Sequence, residues 1–222
     1  MSLSESLADP PARGPWRRSA GRTSRAAAML AGAALFCAVY AAAAWPQLRE
    51  PLSVPQLLAY GALPVPLPAA QWPRLFSTWF IHVDPLHLAG NLAAWATVWL
   101  PWPQSRRGGV RRRLGVFCLC GLGASLATVL LSGLVPGKPL IVSAGPSGAL
   151  MGMAVVAMLQ RGGVFWHQTV WLLTAAALVF GGVLAGGDLA AHLGGGLTGL
   201  GLGWALRSHP ERAELRPAPG AP

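Results

Sequence analysis

The chain has 222 residues, of which 53% are hydrophobic and only 11% charged, and its formal net charge is +10. Soluble domains carry about 25% charged residues, so the composition excludes an ordinary water-soluble domain and points to a polytopic membrane protein. The positive charge does not make a nucleic-acid binder: the arginines flank apolar runs, as topology signals do, and attraction to membrane lipid is their by-product.

In chain order, residues 1–25 are polar and carry Arg13, Arg17, Arg18, Arg22 and Arg25, which reads as a flexible basic cytoplasmic tail. An Ala-rich run over 26–45 follows and ends at Trp45-Pro46. Its apolar stretch exceeds the roughly 7–15 residues of a signal-peptide core, so it is read as a retained first span. Residues 46–84 form a Pro-rich connector whose Leu, Trp and Phe residues predict an interfacial position. Further spans are predicted over 85–102, 114–134, 146–160, 165–183 and 188–206, with a polar tail over 207–222. A crossing helix needs about 20 apolar residues, so the fourth run is short and its N-terminal end should stop below the surface. The expectation is an all-α bundle of six transmembrane helices filling 26–206.

Orientation follows from the 17 Lys and Arg residues. Only Arg49, Arg74 and Lys138 fall in loops on one side; the other fourteen lie in the tails and in the loops on the opposite side. By the positive-inside rule both termini are cytoplasmic, and the spans starting near 85, 146 and 188 all begin at the outer face. High Ala, Gly and Arg with a single Lys suggests a bacterial host, hence a multi-pass protein of the inner membrane. The cysteines Cys37, Cys118 and Cys120 all lie in apolar runs, and Cys118 and Cys120 point in different directions on a helix. No disulfide, metal site or cofactor is expected.

The three outer span starts hold nearly all of the intramembrane polarity: His82, Asp84, His87 and Asn91; Ser143 and Ser147; Asp188 and His192. Polar groups in a bilayer are costly and commonly functional. Ser147 in Gly145-Pro146-Ser147-Gly148 stands at a helix start, where free backbone N–H groups can stabilise an oxyanion. Gly145 and Gly148 would let a substrate backbone approach. On the last span Gly195, Gly199 and Gly203 recur on the face of His192, and Gly148 and Gly152 offer matching small residues on the fourth. Such spacing lets helix axes come close, which a His needs in order to reach a Ser on another helix. His87 and Asn91, four apart, share a face and can donate to a developing oxyanion. Asp188, four residues before His192, could orient it, but the expected role is that of a loop carboxylate meeting solvent or a helix N-terminus.

These residues resemble the rhomboid intramembrane serine proteases. The resemblance rests on Trp72-Pro73-Arg74, His82-x4-His87-x3-Asn91, Gly145-Pro146-Ser147-Gly148 and His192-x2-Gly195-x3-Gly199, and it covers about 45–205. It implies a Ser147–His192 dyad, an oxyanion hole of His87, Asn91 and the Ser147 amide, and supporting roles for His82, Gly145, Gly148, Gly195 and Gly199. Its implied substrates are transmembrane segments of membrane-anchored proteins cut near the outer face, without metal or cofactor. The alternative is a catalytically inactive rhomboid-like protein that binds transmembrane clients. Two departures stand out: many rhomboids have an aromatic residue where this chain has Met151, and the polar tails are short, with no extra soluble domain; the resemblance leaves room for a specialised bacterial branch with a narrow set of substrates, such as the rhombosortases.

Overall fold

The computed structural model describes residues 15–45, 50–99, 109–131, 142–160, 172–174, 176 and 187–207. Its main elements are α1 (Pro15–Ala44), α2 (Val54–Tyr60), β1 (Leu63–Pro64), α3 (Arg74–Ser77), α4 (Pro85–Trp99), α5 (Gly109–Leu131), β2 (Val142–Ser143), α6 (Ser147–Gln160) and α7 (Leu189–Arg207). Helix α1 begins upstream of the expected position 26, and α5 begins before 114. Most of the span expected over 165–183 and most of both tails lie outside the described residues.

Two helical segments among the described residues are long and apolar enough to cross a membrane: Ala26–Ala44 (19 residues) and Gly109–Leu131 (23 residues). Helix α6 is apolar but shorter, at 14 residues. Ala is the strongest helix former, which accounts for α1. The helix docks through Phe36, which is buried in the core, and the Trp95 indole N–H donates to the Met29 carbonyl at 3.0 Å.

The connector is folded rather than extended. Helices α2 and α3 and two 3-10 turns, Ala69–Gln71 and Thr78–Phe80, are fastened by side chains. The Arg74 guanidinium donates to the carbonyls of Leu58 (2.6 Å) and Ala62 (2.9 Å), and the Ser77 hydroxyl donates to that of Gly61 at 2.7 Å. Trp79 inserts against α5 over Gly121, where its indole N–H donates to Ser125 Oγ at 3.0 Å. Ser125 in turn donates to the Leu75 carbonyl at 2.8 Å. Trp72 and Phe76 remain exposed, with their rings edge to face.

One element departs from the all-helical expectation. Strand β1 in the connector pairs antiparallel with β2, Leu63 opposite Ser143 and Pro64 opposite Val142. Two-residue strands leave no alternating pattern to read, so the pairing was invisible in the sequence. It fastens the connector to the residues that lead into Ser147.

The core joins α1, α4, α5 and α6. Trp95 and Trp99 stack at 4.5 Å, Phe36 and Phe117 meet Trp95 edge to face, and Leu150 and Met153 of α6 are fully buried beside them. Arg113 reaches back to the Trp99 carbonyl at 3.1 Å and lies over its ring. Helix α7 packs against both α5 and α6.

Candidate active site

Helix α6 begins at Ser147, and the turn that delivers it depends on Gly145. Gly145 has φ +105°, a conformation L side chains rarely adopt, and a Cβ there would come within 2.7 Å of the His87 ring. The Gly145 N–H donates to the Thr78 carbonyl at 2.9 Å, and the Thr78 hydroxyl donates to the Ser143 carbonyl at 2.7 Å. The 3-10 turn at the end of the connector therefore holds the serine loop in place from both sides.

His192, the fourth residue of α7, closes its first turn and is buried. Its Nε2 lies 2.9 Å from Ser147 Oγ. That is the separation a base needs to take a hydroxyl proton. His192 Nδ1 is buried, and among the described residues it meets no hydrogen-bond partner that could serve as a third member of a triad.

The approach of α7 to α6 rests on glycine. Gly195 lies against the Gly148 carbonyl and Gly199 against the Gly152 carbonyl, both closer than any Cβ could come. Gly203 faces Leu159 further down. The small-residue pattern thus operates as the sequence predicts. Gly148 differs from expectation in one respect. The space beside it is filled by Ala124 Cβ and the Ala191 carbonyl, so it serves helix packing and is not open to a substrate backbone.

Helix α4 supplies the opposite wall. The His87 and Asn91 side chains both face the Gly145 turn, the His87 ring at 2.7 Å and Asn91 Nδ2 at 3.3 Å from where a Gly145 Cβ would stand. His87 Nδ1 accepts from the Val83 N–H at 3.3 Å. A neutral imidazole that accepts at one nitrogen carries its proton on the other, so His87 Nε2–H is a donor on the serine side. Asn91 is 2% exposed, and neither its Nδ2 nor its Oδ1 has a partner among the described residues. Buried amides without partners are uncommon and call for a reason. His82 lies one layer back, buried, its ring edge to face with His87 and with Phe36. Burial, with His87 beside it, pushes the His82 imidazole down to about 3, so it is neutral and packs as a spacer.

The two histidine-bearing helices begin alike. Asp84 caps α4, accepting from the His87 N–H at 2.7 Å, and Asp188 caps α7, accepting from the Ala191 N–H at 2.9 Å. Of the two settings expected for Asp188, solvent or a helix N-terminus, its carboxylate takes the second. Met151 lies over Gly196 of α7, 3.7 Å from where a Gly196 Cβ would stand.

The family model described as the Rhomboid domain matches residues 69–209. The chain belongs to the rhomboid family. The matched region runs from the connector through α7 and contains the Ser147–His192 pair, His87 and Asn91. None of the curated proteins and none of the solved structures matches the chain. Sequence reasoning missed Thr78, whose hydroxyl and carbonyl hold the serine loop from outside it.

Proposed function

We propose that this rhomboid-family chain is an intramembrane serine endopeptidase that cuts transmembrane segments of membrane-anchored proteins near the outer face of a bacterial inner membrane. The observation that carries this reading is the 2.9 Å separation of His192 Nε2 and Ser147 Oγ, contributed by two separate helices. His192 takes the Ser147 proton as Oγ attacks the scissile carbonyl carbon. His87 Nε2–H, Asn91 Nδ2–H and the Ser147 amide donate to the oxyanion, and the unpartnered Asn91 amide suits a group waiting for a transient acceptor. His192 then gives its proton to the leaving amine as the C–N bond breaks. Water, deprotonated by His192, hydrolyses the acyl-enzyme, and the proton returns to Ser147. An intact helix hides its carbonyls in hydrogen bonds, so preferred substrates contain small or helix-breaking residues near the cut.

The charge asymmetry of the loops supports six spans with both termini cytoplasmic, which sets the site toward the outer leaflet. The exposed Trp72 and Phe76 of the connector suit a headgroup-level position beside it. An inactive client-binding role is the other reading, but it gives no reason for a Ser–His contact at hydrogen-bond distance. The deciding experiment reconstitutes the protein in liposomes with a single-span substrate carrying a Gly-Pro interruption in its outer half. Products mapped by mass spectrometry should end in that half and vanish with Ser147→Ala; cuts in the inner half, or cuts that survive Ser147→Ala, contradict the proposal.

A further inference from the structure

Asp188 does more than cap α7. Its Oδ1 accepts from the Ala191 N–H at 2.9 Å, while its Oδ2 accepts from the hydroxyl of Thr128 on α5. Thr128 is fully buried, and its hydroxyl also lies 3.1 Å from the Ala124 carbonyl of its own helix. One carboxylate therefore joins the first turn of α7 to the wall of α5, one turn before His192, whose own N–H bonds the Asp188 carbonyl at 3.3 Å.

The rest of the α7 seat explains why such a tie matters. Against α6 the contacts are glycine on backbone, Gly195 on Gly148 and Gly199 on Gly152; against α5, Gly194 lies on Ala127 and on the Gly123 carbonyl. These contacts, made by small residues and backbone, let the helices come close. Thr198, seated over Gly123, fixes the middle of α7. The end that carries His192 has Asp188.

We propose that Asp188 is a positioning residue: through Thr128 it sets the axial register of the α7 N-terminus, and so holds His192 Nε2 on Ser147 Oγ. This rests on the Ser147–His192 reading given above. The role belongs to hydrogen bonding rather than to charge. An Asn at 188 keeps the acceptor for Ala191 and can donate to the Thr128 oxygen, whereas Ala at 188 loses both bonds and Val at 128 loses only the tie to α5.

The test uses the full chain in nanodiscs with two readouts, the rate of fluorophosphonate labelling at Ser147 and amide hydrogen exchange over residues 189–192. Asp188→Ala and Thr128→Val should label about ten- to a hundredfold more slowly, the range a displacement of about 1 Å produces, with helical content unchanged. Asp188→Asn should recover the rate to within about threefold of the unsubstituted protein, which loss of a generic stabilising group would not predict. Exchange should rise about tenfold with Asp188→Ala, as for loss of a cap, and measurably with Thr128→Val, but not with Ser147→Ala. Unchanged labelling in Asp188→Ala or Thr128→Val overturns the proposal. So does Asp188→Asn as slow as Asp188→Ala, or unchanged exchange in both disruptive variants. Absence of Ser147-dependent labelling in the unsubstituted protein would count against the dyad reading instead, and exchange still decides whether the tie holds α7.

Discussion

Gly195 of α7 lies against the backbone carbonyl of Gly148 of α6, one residue past Ser147 on one helix and one turn past His192 on the other. This contact sets the distance between the two helices at the level of the site. A side chain at Gly195 would press on the Gly148 backbone and push the histidine helix away from the serine helix.

Gly195→Ala should therefore impair the site more than the fold. Overpacking of this kind destabilises by about 1–3 kcal/mol, and a shift of about 1 Å between reacting groups lowers rate by about a hundredfold. Gly201→Ala is the control, because a Cβ there meets nothing within 4 Å. Labelling rate and thermal midpoint, measured together in detergent, check this: Gly195→Ala loses rate and some stability, and Gly201→Ala loses neither.

Asn91→Leu should separate stability from activity. Its amide is buried without a partner among the described residues, and such a group costs the fold about 1–3 kcal/mol. Replacing it with an apolar side chain of similar size leaves the thermal midpoint unchanged or higher. Loss of one oxyanion donor lowers kcat by about 10²–10³, with KM nearly constant. Steady-state kinetics on a cleaved substrate, paired with thermal denaturation, reads both quantities.

His82 should make the fold acid-sensitive. The free imidazole titrates near 6.5, whereas burial holds the folded one at about 3. Between those values the unfolded chain binds a proton that the folded chain does not. Stability from this group is full above about pH 6.5 and falls as pH drops, by up to about 1.4 kcal/mol per pH unit. The thermal midpoint of the unsubstituted protein should decline from pH 7 to pH 4 more steeply than that of His82→Leu. Parallel slopes would remove His82 from the account.

Arg74→Ala should loosen the connector. The guanidinium makes two bonds to carbonyls, at 2.6 and 2.9 Å, that close the α2–β1 corner. Hydrogen bonds from charged donors are worth about 1.5–3 kcal/mol each, and both come from one nitrogen, Nη1, so the thermal midpoint should fall clearly with Ala and less with Lys, whose ammonium carries three donors. Limited proteolysis within 54–77 should accelerate in the same order.

Legibility in the sequence followed polarity. Ser147, His192, His87 and Asn91 draw attention in the sequence because each stands near the start of an apolar run, where a polar residue needs a reason, and the fold brings the four together. The Gly148–Gly195 and Gly152–Gly199 contacts were readable because small residues recurred at helical spacing on two spans. What stayed hidden depended on partners far apart in the chain. The Thr78 bonds to Ser143 and Gly145, the Trp79–Ser125 bond and the Asp188–Thr128 tie join residues whose pairing no local pattern encodes. Gly148 was misread as space for a substrate because a glycine in sequence does not reveal which neighbour fills its missing side chain.

The most direct measurement is covalent labelling of purified protein in lipid with a fluorophosphonate, followed by peptide mapping of the adduct. The account predicts a single adduct on Ser147, lost in Ser147→Ala and slowed at least about a hundredfold in His192→Ala, in line with removal of a general base. An adduct on any other residue, or labelling of folded His192→Ala at the unsubstituted rate, would contradict it.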